Sequence, residues 1–197
     1  KTETTKIILS YIARVAGGAQ DDVARRILES NPVLEAYGNA KTLRNDNSSR
    51  FGKWMTVAFD ADRRVAGCAI DTYLLEKSRV VGCGPGERTY HALYQVLSDI
   101  EGEAREFPYL ARGGCVRIDG IDDAAEFATQ LRALDALGVT DRQDVLDIVA
   151  AVLHLGCAEF DGDDARCVNA ETSIGRCAPL LGLDATEVET AVTTRTE

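Results

Sequence analysis

The reading of this chain turns on "RNDNSSRFGK", residues 44–53. Asn45, Asp46, Asn47, Ser48, Ser49 and Arg50 follow one another there, and neither a helical nor an alternating apolar pattern runs through them. A serine hydroxyl can ligate magnesium or hold a water. Asparagine amides and backbone N–H groups donate to phosphate oxygens, and an arginine offers a planar fork to a carboxylate or phosphate. Those are parts of a phosphoryl-transfer site. The same residues also suit a plain polar turn leading into the strand-like "KWMTVAF", because Asn, Asp and Ser bond their own backbone readily. Composition alone slightly favours the turn.

Upstream of this run, Ile7, Ile8, Tyr11, Ile12 and Val15 recur at helical spacing from Thr2 to Ala16, and Gly17 and Gly18 are expected to stop that helix. Asp21 and Asp22 can cap a second helix, which Asn31 and Pro32 are expected to interrupt and restart, with its end near Gly38. Downstream, "WMTVAF" and "AGCAIDTYLL" flank the polar turn "DADRR" and predict a β-hairpin between Phe51 and Leu75. "GCGPGE" reads as a turn, since no Lys-Ser/Thr pair follows it as a phosphate cradle would require.

After it, Tyr90, Leu93, Tyr94 and Leu97 share one helical face. Further helices are predicted over 122–137, opening on an Asp pair, and over 140–155, opening on a Thr140 cap. Shorter ones follow over 170–181 and 184–193, and Gly138 and Gly156 are expected at C′ positions. The acidic "DGDDARCVNAE" reads as an exposed loop, and His154 as a core residue on an apolar face. No repeat or linker divides the chain, which reads as one unit dominated by helix.

Composition narrows the function classes. A net charge of −10 and a pI near 4.8 disfavour nucleic acid and anionic membrane as partners, because both are negative. No apolar run approaches the roughly 20 residues that span a bilayer, and "KTETTKIILS" lacks signal-peptide features, so an intracellular protein is expected. The six cysteines form no C-x-x-C pair and have only His91 and His154 to help, so free, mostly buried thiols are expected rather than a zinc site. The chain opens on Lys1, which suggests a piece of something longer.

The wider context is more specific. "ESNPVLEAYGNAKTLRNDNSSRFGKWM", residues 29–55, resembles the switch I region of the myosin motor domain, with its N-P-x-L-E-A-[FY]-G-N-A-K-T lead and N-x-N-S-S-R-F-G-K core. Kinesins share a similar element, but theirs continues with serine and histidine where this chain has Phe51 and Gly52. "IDTYLLEKSRVVGCGPGERTYHALYQVL" is similar to the myosin segment that runs from a transducer strand through E-K-S-R-V and P-G-E-R into a Y-H-x-x-Y-Q helix. "DGIDDAAEF", "ALDALGVTDRQ" and "IVAAVLHLGCAEF" resemble helices on the upper, actin-side part of the motor. The opening "KTETTKIILSYIA" resembles the end of a myosin P-loop and the helix after it.

The resemblance implies an internal piece of an α/β P-loop NTPase-type motor domain, mostly helical here, with a β-hairpin of the transducer sheet. It implies a nucleotide-site half over 1–53, transducer strands over 54–82 and a helical, actin-side region over 83–197. It implies that Lys1, Thr2, Asn45, Asn47, Ser48 and Ser49 bind nucleotide, that Thr2 and Ser49 hold magnesium, that Ser48 positions the attacking water, and that Arg50 closes the site. Arg50 would do so by pairing with an acidic residue of a switch II motif that this chain does not contain. Asp46 stands where a second asparagine is common, which adds a negative charge beside an anionic ligand.

The implied cofactors are ATP and Mg2+, and the implied partners are actin filaments and ATP/ADP. Light chains or calmodulin would be reached through a neck outside this chain, with no nucleic acid and no membrane insertion. The implied setting is the cytoplasm and its cytoskeleton. The parent is then expected to be an actin-activated ATPase. Two alternatives stay open: a non-hydrolysing, myosin-like scaffold that binds actin or nucleotide, and another P-loop NTPase. The 197 residues alone are expected not to bind ATP tightly or turn it over, because the rest of the phosphate cradle lies outside them.

Overall fold

The computed structural model describes residues 2–16, 22–100, 102–162 and 166–194, with backbone only at residues 2, 3, 22 and 24. The expectations for Lys1, Gly17, Gly18, Asp21 and the middle of the acidic loop, and the side-chain roles of Thr2 and Asp22, fall outside this description. Helix α1 (Thr2–Ala16) packs beside α2 (Asp22–Gly38), and Lys6 of α1 pairs with Glu35 of α2 at 2.6 Å. Leu9 and Ile27 are buried with Val65, with Ile12, Leu28, Met55 and Val57 against them, so these helices cover one face of a sheet. Ile7, Tyr11 and Val15 of the α1 stripe instead point outward among the described residues, each more than half exposed. The periodicity identified the helix; it did not identify the face that packs here.

Helix α2 runs unbroken through Pro32, contrary to the expected restart. Proline removes the N–H that would bond the carbonyl four residues earlier, which is that of Leu28. Asn31 Nδ2 donates to Leu28 O instead, at 3.2 Å, and Ser30 Oγ donates to Ile27 O at 2.7 Å. Side chains thus occupy the carbonyls of the turn that proline disturbs, and the helix continues.

Two antiparallel sheets follow. Strands β1 (Asn39–Thr42) and β2 (Asn45–Ser49) form one, and β3 (Gly52–Phe59) and β4 (Val65–Tyr73) form the expected hairpin, paired from Gly52 with Tyr73 to Phe59 with Val65. The "DADRR" turn closes through Asp60, whose backbone N–H donates to Arg64 O while its carboxylate accepts from Arg64 N, with Arg63 left-handed at φ 63°.

The remaining elements are helical: α3 (Ser78–Val81), α4 (His91–Gln95) running into a 3-10 turn (Val96–Ser98), α5 (Pro108–Ala111), α6 (Asp123–Leu137), α7 (Arg142–Gly156), α8 (Ile174–Leu180) and α9 (Ala185–Thr193). Tyr90, Leu93, Tyr94, Phe107, Leu110 and Leu153 form the largest core, and Cys167, Ile174, Ala178 and Val188 a smaller one. His154 is buried against Phe107, with ring centroids 5.8 Å apart, as a core residue. The six thiols are free, but only Cys167 and Cys177 are buried; the other four are half-buried, fewer buried than expected.

Asp122 caps α6 by accepting from Ala124 N and Ala125 N, and Gly138 ends it at φ 76°. Two expectations fail nearby. Thr140 does not cap α7; its hydroxyl donates to Asp141, which precedes the helix without a side-chain cap. Gly156 is the last residue of α7 rather than a left-handed C′ glycine, and a Cβ there would lie 2.6 Å from the Tyr109 ring. Close approach of an aromatic requires that glycine.

The Asn31 bond gives a direct check on how α2 survives its proline. Asn31→Ala leaves Leu28 O without its side-chain donor and is expected to lower stability by about 1–2 kcal/mol, read from the shift in urea midpoint.

Candidate functional site

Residues 44–53 hold the strand β2, the bend at Arg50 and Phe51 and the start of β3, rather than the plain polar turn that composition favours. β2 pairs with β1 through Asn39 with Ser49, Ala40 with Ser48 and Thr42 with Asn45, with an irregularity between Ala40 and Thr42. Polar side chains close the tight turn: Thr42 Oγ1 accepts from Asn45 N at 3.2 Å and donates to Asn45 O at 3.1 Å. At the other end Arg50 N donates to Gly38 O at 2.8 Å. The Phe51 ring then lies on Gly38, where a Cβ would approach it to 2.3 Å. An alanine at Gly38 would force the ring, and β3 with it, to shift.

Asn45 and Asn47, two residues apart in β2, make different use of their amides. Asn47 donates through Nδ2 to Glu35 at 2.8 Å and accepts from buried Asn39 at the same distance, so both ends of its amide tie β2 to α2. Asn45 Oδ1 accepts from Asn47 N at 2.9 Å, and its Nδ2 makes no bond among the described residues. Asp46 reaches outward to Lys41 at 3.4 Å and does not line the cavity beside the strand, so its charge is directed away from that space.

That cavity, of about 600 Å³, is lined by Thr5 of the N-terminal part of α1 and, among others, by Asn45, Asn47, Ser48, Ser49, Lys53 and Tyr73. Ser49 Oγ donates its proton to Phe51 O at 3.1 Å, which leaves its oxygen lone pairs as the free chemical function. A metal ligand requires that arrangement. Lys53, pulled below the ordinary lysine pKa mainly by burial, reaches Asn31 Oδ1 at 3.4 Å.

Arg50 is where the structure adds most to the sequence reading. Its Nε donates to Glu76 and its Nη1 to Ser48 Oγ at 3.2 Å. Glu76 is also gripped by Arg79, Nε to Oε2 at 2.9 Å and Nη2 to Oε1 at 3.3 Å, and these two guanidinium groups, Arg79 first, hold its carboxyl below the ordinary value against a smaller opposing effect of burial. Arg79 is buried, and it donates further to Glu87 at 3.0 Å and to Arg88 O at 3.0 Å. Glu87 accepts from Leu43 N at 3.3 Å, beside the β1–β2 turn. The E-K-S-R and P-G-E-R segments therefore meet the polar strand through an alternating chain of arginine and glutamate. Glu76 and Arg79 stand three residues apart, but nothing local paired Glu76 with Arg50 or Glu87 with Leu43 N.

Beyond Glu87, Arg88 is fully buried, with Nη2 2.9 and 3.0 Å from the two Asp123 oxygens and its guanidinium 3.6 Å from the centroid of the Tyr94 ring. Among the described residues no group of three or more His, Cys, Asp or Glu side chains could hold a metal, and no helix is long and apolar enough to cross a membrane.

The whole chain, residues 1–197, matches the family model for the myosin head (motor domain). The chain belongs to the myosin head family. It is 41% identical to Myosin-1 of Arabidopsis thaliana over 209 aligned residues, covering 99% of this chain and 18% of that protein. It is 40% identical to Myosin-51 of Schizosaccharomyces pombe over 202, covering 93% and 14%. It is 46% identical to Myosin-15 of Arabidopsis thaliana over 172, covering 81% and 11%. The chain thus spans at most 18% of the length of these myosins. Its Asn45–Ser49 strand is a feature of this myosin head segment in which hydrogen-bonding capacity is divided, one part spent on α2 and the other left for the cavity.

Behind the strand, His91 lines a second cavity of about 430 Å³ with Lys6, Glu35, Asn47, Gln95 and Asp123. Burial first, and the Arg88 charge second, lower its pKa from 6.5 to about 4. Between those values the unfolded chain holds a proton that the folded chain does not, so stability rises with pH there and is lost as pH falls. The loss between pH 6.5 and 4 is expected to be about 3 kcal/mol. His91→Gln should flatten this slope when urea midpoints are compared at pH 6.5 and 4.5.

Proposed function

We propose that the full-length parent of this chain is an actin-activated Mg-ATPase motor of the cytoplasmic cytoskeleton. On this reading residues 1–53 are half of its nucleotide site in a P-loop NTPase-type α/β fold, 54–82 part of its transducer sheet and 83–197 part of its actin-side region. One observation carries the reading: Asn45, Ser48 and Ser49 share a cavity with the N-terminal part of α1, and Ser49 presents oxygen lone pairs while Asn45 Nδ2 has no partner among the described residues. Helix N-termini favour anions, and an amide donor beside a hydroxyl oxygen suits a phosphate with its cation.

The site would draw on magnesium, when bound, for neutralisation of phosphate charge. Ser49 and Thr2 would hold it, Lys1 would reach the terminal phosphates, and Asn45 Nδ2 would donate to phosphate oxygen. Ser48 would hold the attacking water, with its hydroxyl oriented by Arg50 Nη1 at 3.2 Å. Asn47, which also lines the cavity, would face the nucleotide while its amide fixes the strand to α2. Arg50 would close the site by pairing with a carboxylate outside this chain, and β3 begins directly after the turn, so movement of the strand passes into the hairpin.

The reading has a kinetic test. ATP turnover by the parent is expected to rise on adding filamentous actin; no hydrolysis with or without it would overturn the motor reading in favour of a non-hydrolysing scaffold. Arg50→Ala is expected to lower kcat on the order of a hundredfold with ATP affinity within a few fold, because the arginine acts on closure. A large loss of affinity at normal turnover would refute that role.

A further inference from the structure

We infer that Glu76 is a positioning residue for Arg50: it holds the guanidinium by its Nε edge so that the Nη edge is presented to a second carboxylate. The inference rests on the reading of Arg50 as the group that closes the nucleotide site, and adds a residue and a geometry to it.

Arginine carries five N–H donors in a planar fork, and its Nε side and its Nη side can serve different acceptors. Here Nε is taken by Glu76, Nη1 reaches only Ser48 Oγ at 3.2 Å, and Nη2 has no partner among the described residues. The side chain of Arg50 is 29% exposed, so that edge is accessible. A carboxylate arriving there would complete a bridge of two acids on one cation without displacing Glu76.

Glu76 is built to be the fixed member of the pair. Arg79 binds both of its oxygens from a side chain only 6% exposed. Its backbone is held as well: Glu76 N donates to Arg50 O at 2.9 Å, and Glu76 O accepts from the Tyr90 hydroxyl at 2.8 Å. Two residues earlier Leu74 sits at φ 54°, a left-handed conformation uncommon for leucine, where the chain leaves β4. That turn returns the backbone to Arg50. Arg79 is anchored in turn by Glu87 and by Arg88 O, while its own carbonyl accepts from Thr89 Oγ1 at 2.7 Å. Arg50, by contrast, is held at its side chain only by Glu76 and Ser48 among the described residues.

The test is Glu76→Gln in the full-length parent, which keeps the side chain's shape and an oxygen acceptor but removes the charge. Steady-state ATPase is expected to show kcat about tenfold lower with KM within about twofold. Glu76→Gln combined with Arg50→Ala is expected to be no slower than Arg50→Ala alone, because Glu76 acts through that arginine. Normal kcat in Glu76→Gln, or a double variant much slower than Arg50→Ala, overturns the inference while leaving the functional reading intact. An inactive wild-type parent overturns the functional reading, and the positioning role with it. If Glu76→Gln does not fold, Arg50→Lys decides: an ammonium cannot span two carboxylates as a fork does, so its kcat should match Arg50→Ala, and near-normal kcat overturns the proposal.

Discussion

The carboxylate of Glu76, held between Arg50 and Arg79, is the contact on which the arrangement around the polar strand depends. It joins the turn after β2 to the segment after β4, and through Arg79 and Glu87 it returns to the β1–β2 turn at Leu43. A single exposed ion pair contributes little, because water competes for both partners and two long side chains must be ordered. This one is part of a network in which Arg79 is buried and has acceptors from Glu76, Glu87 and a backbone carbonyl. Removing Glu76 leaves the buried Arg79 with only one of these two carboxylates, Glu87, and takes from Arg50 the carboxylate at its Nε.

The same logic extends to Arg88, the residue after Glu87. Its fully buried guanidinium faces Asp123 and lies over Tyr94, so the first turn of α6 and the helix after Tyr90 are linked to the end of the charge network. Polar groups placed this deep specify position where apolar contacts would tolerate sliding. The cores built on Tyr94 and Leu153, and on Ile174 and Val188, provide burial; the charged links fix how the polar strand sits against them.

Within the strand, neighbouring asparagines divide the labour by hydrogen bonding rather than by direction. Asn45, Asn47 and Ser49 are spaced two apart, which places them on one side of a strand, and all three line the cavity. Asn47 spends its amide on Glu35 and Asn39, while Asn45 Nδ2 has no partner among the described residues and Ser49 gives its proton to Phe51 O. The family's motif names all these residues together. Only their bonding partners separate those with capacity left for a ligand from those that hold the strand.

Much was legible in the sequence because it depends on neighbours in the chain: the hairpin around "DADRR", the Asp122 cap and Gly138 end of α6, and the chemistry of residues 44–53. What failed was decided by distant or compensating groups. Pro32 did not break α2, since Asn31 supplies the donor proline lacks; Gly156 answers to the Tyr109 ring 47 positions away in sequence rather than to its own turn. The outward stripe of α1 shows the same limit, since periodicity cannot say which surface arrives to cover it. By itself the sequence determined the family and the set of reactive groups, because motif and local propensity reside in consecutive residues. Tertiary structure alone decided that Glu76 meets Arg50 across 26 positions, because charge pairing is a matter of distance in space.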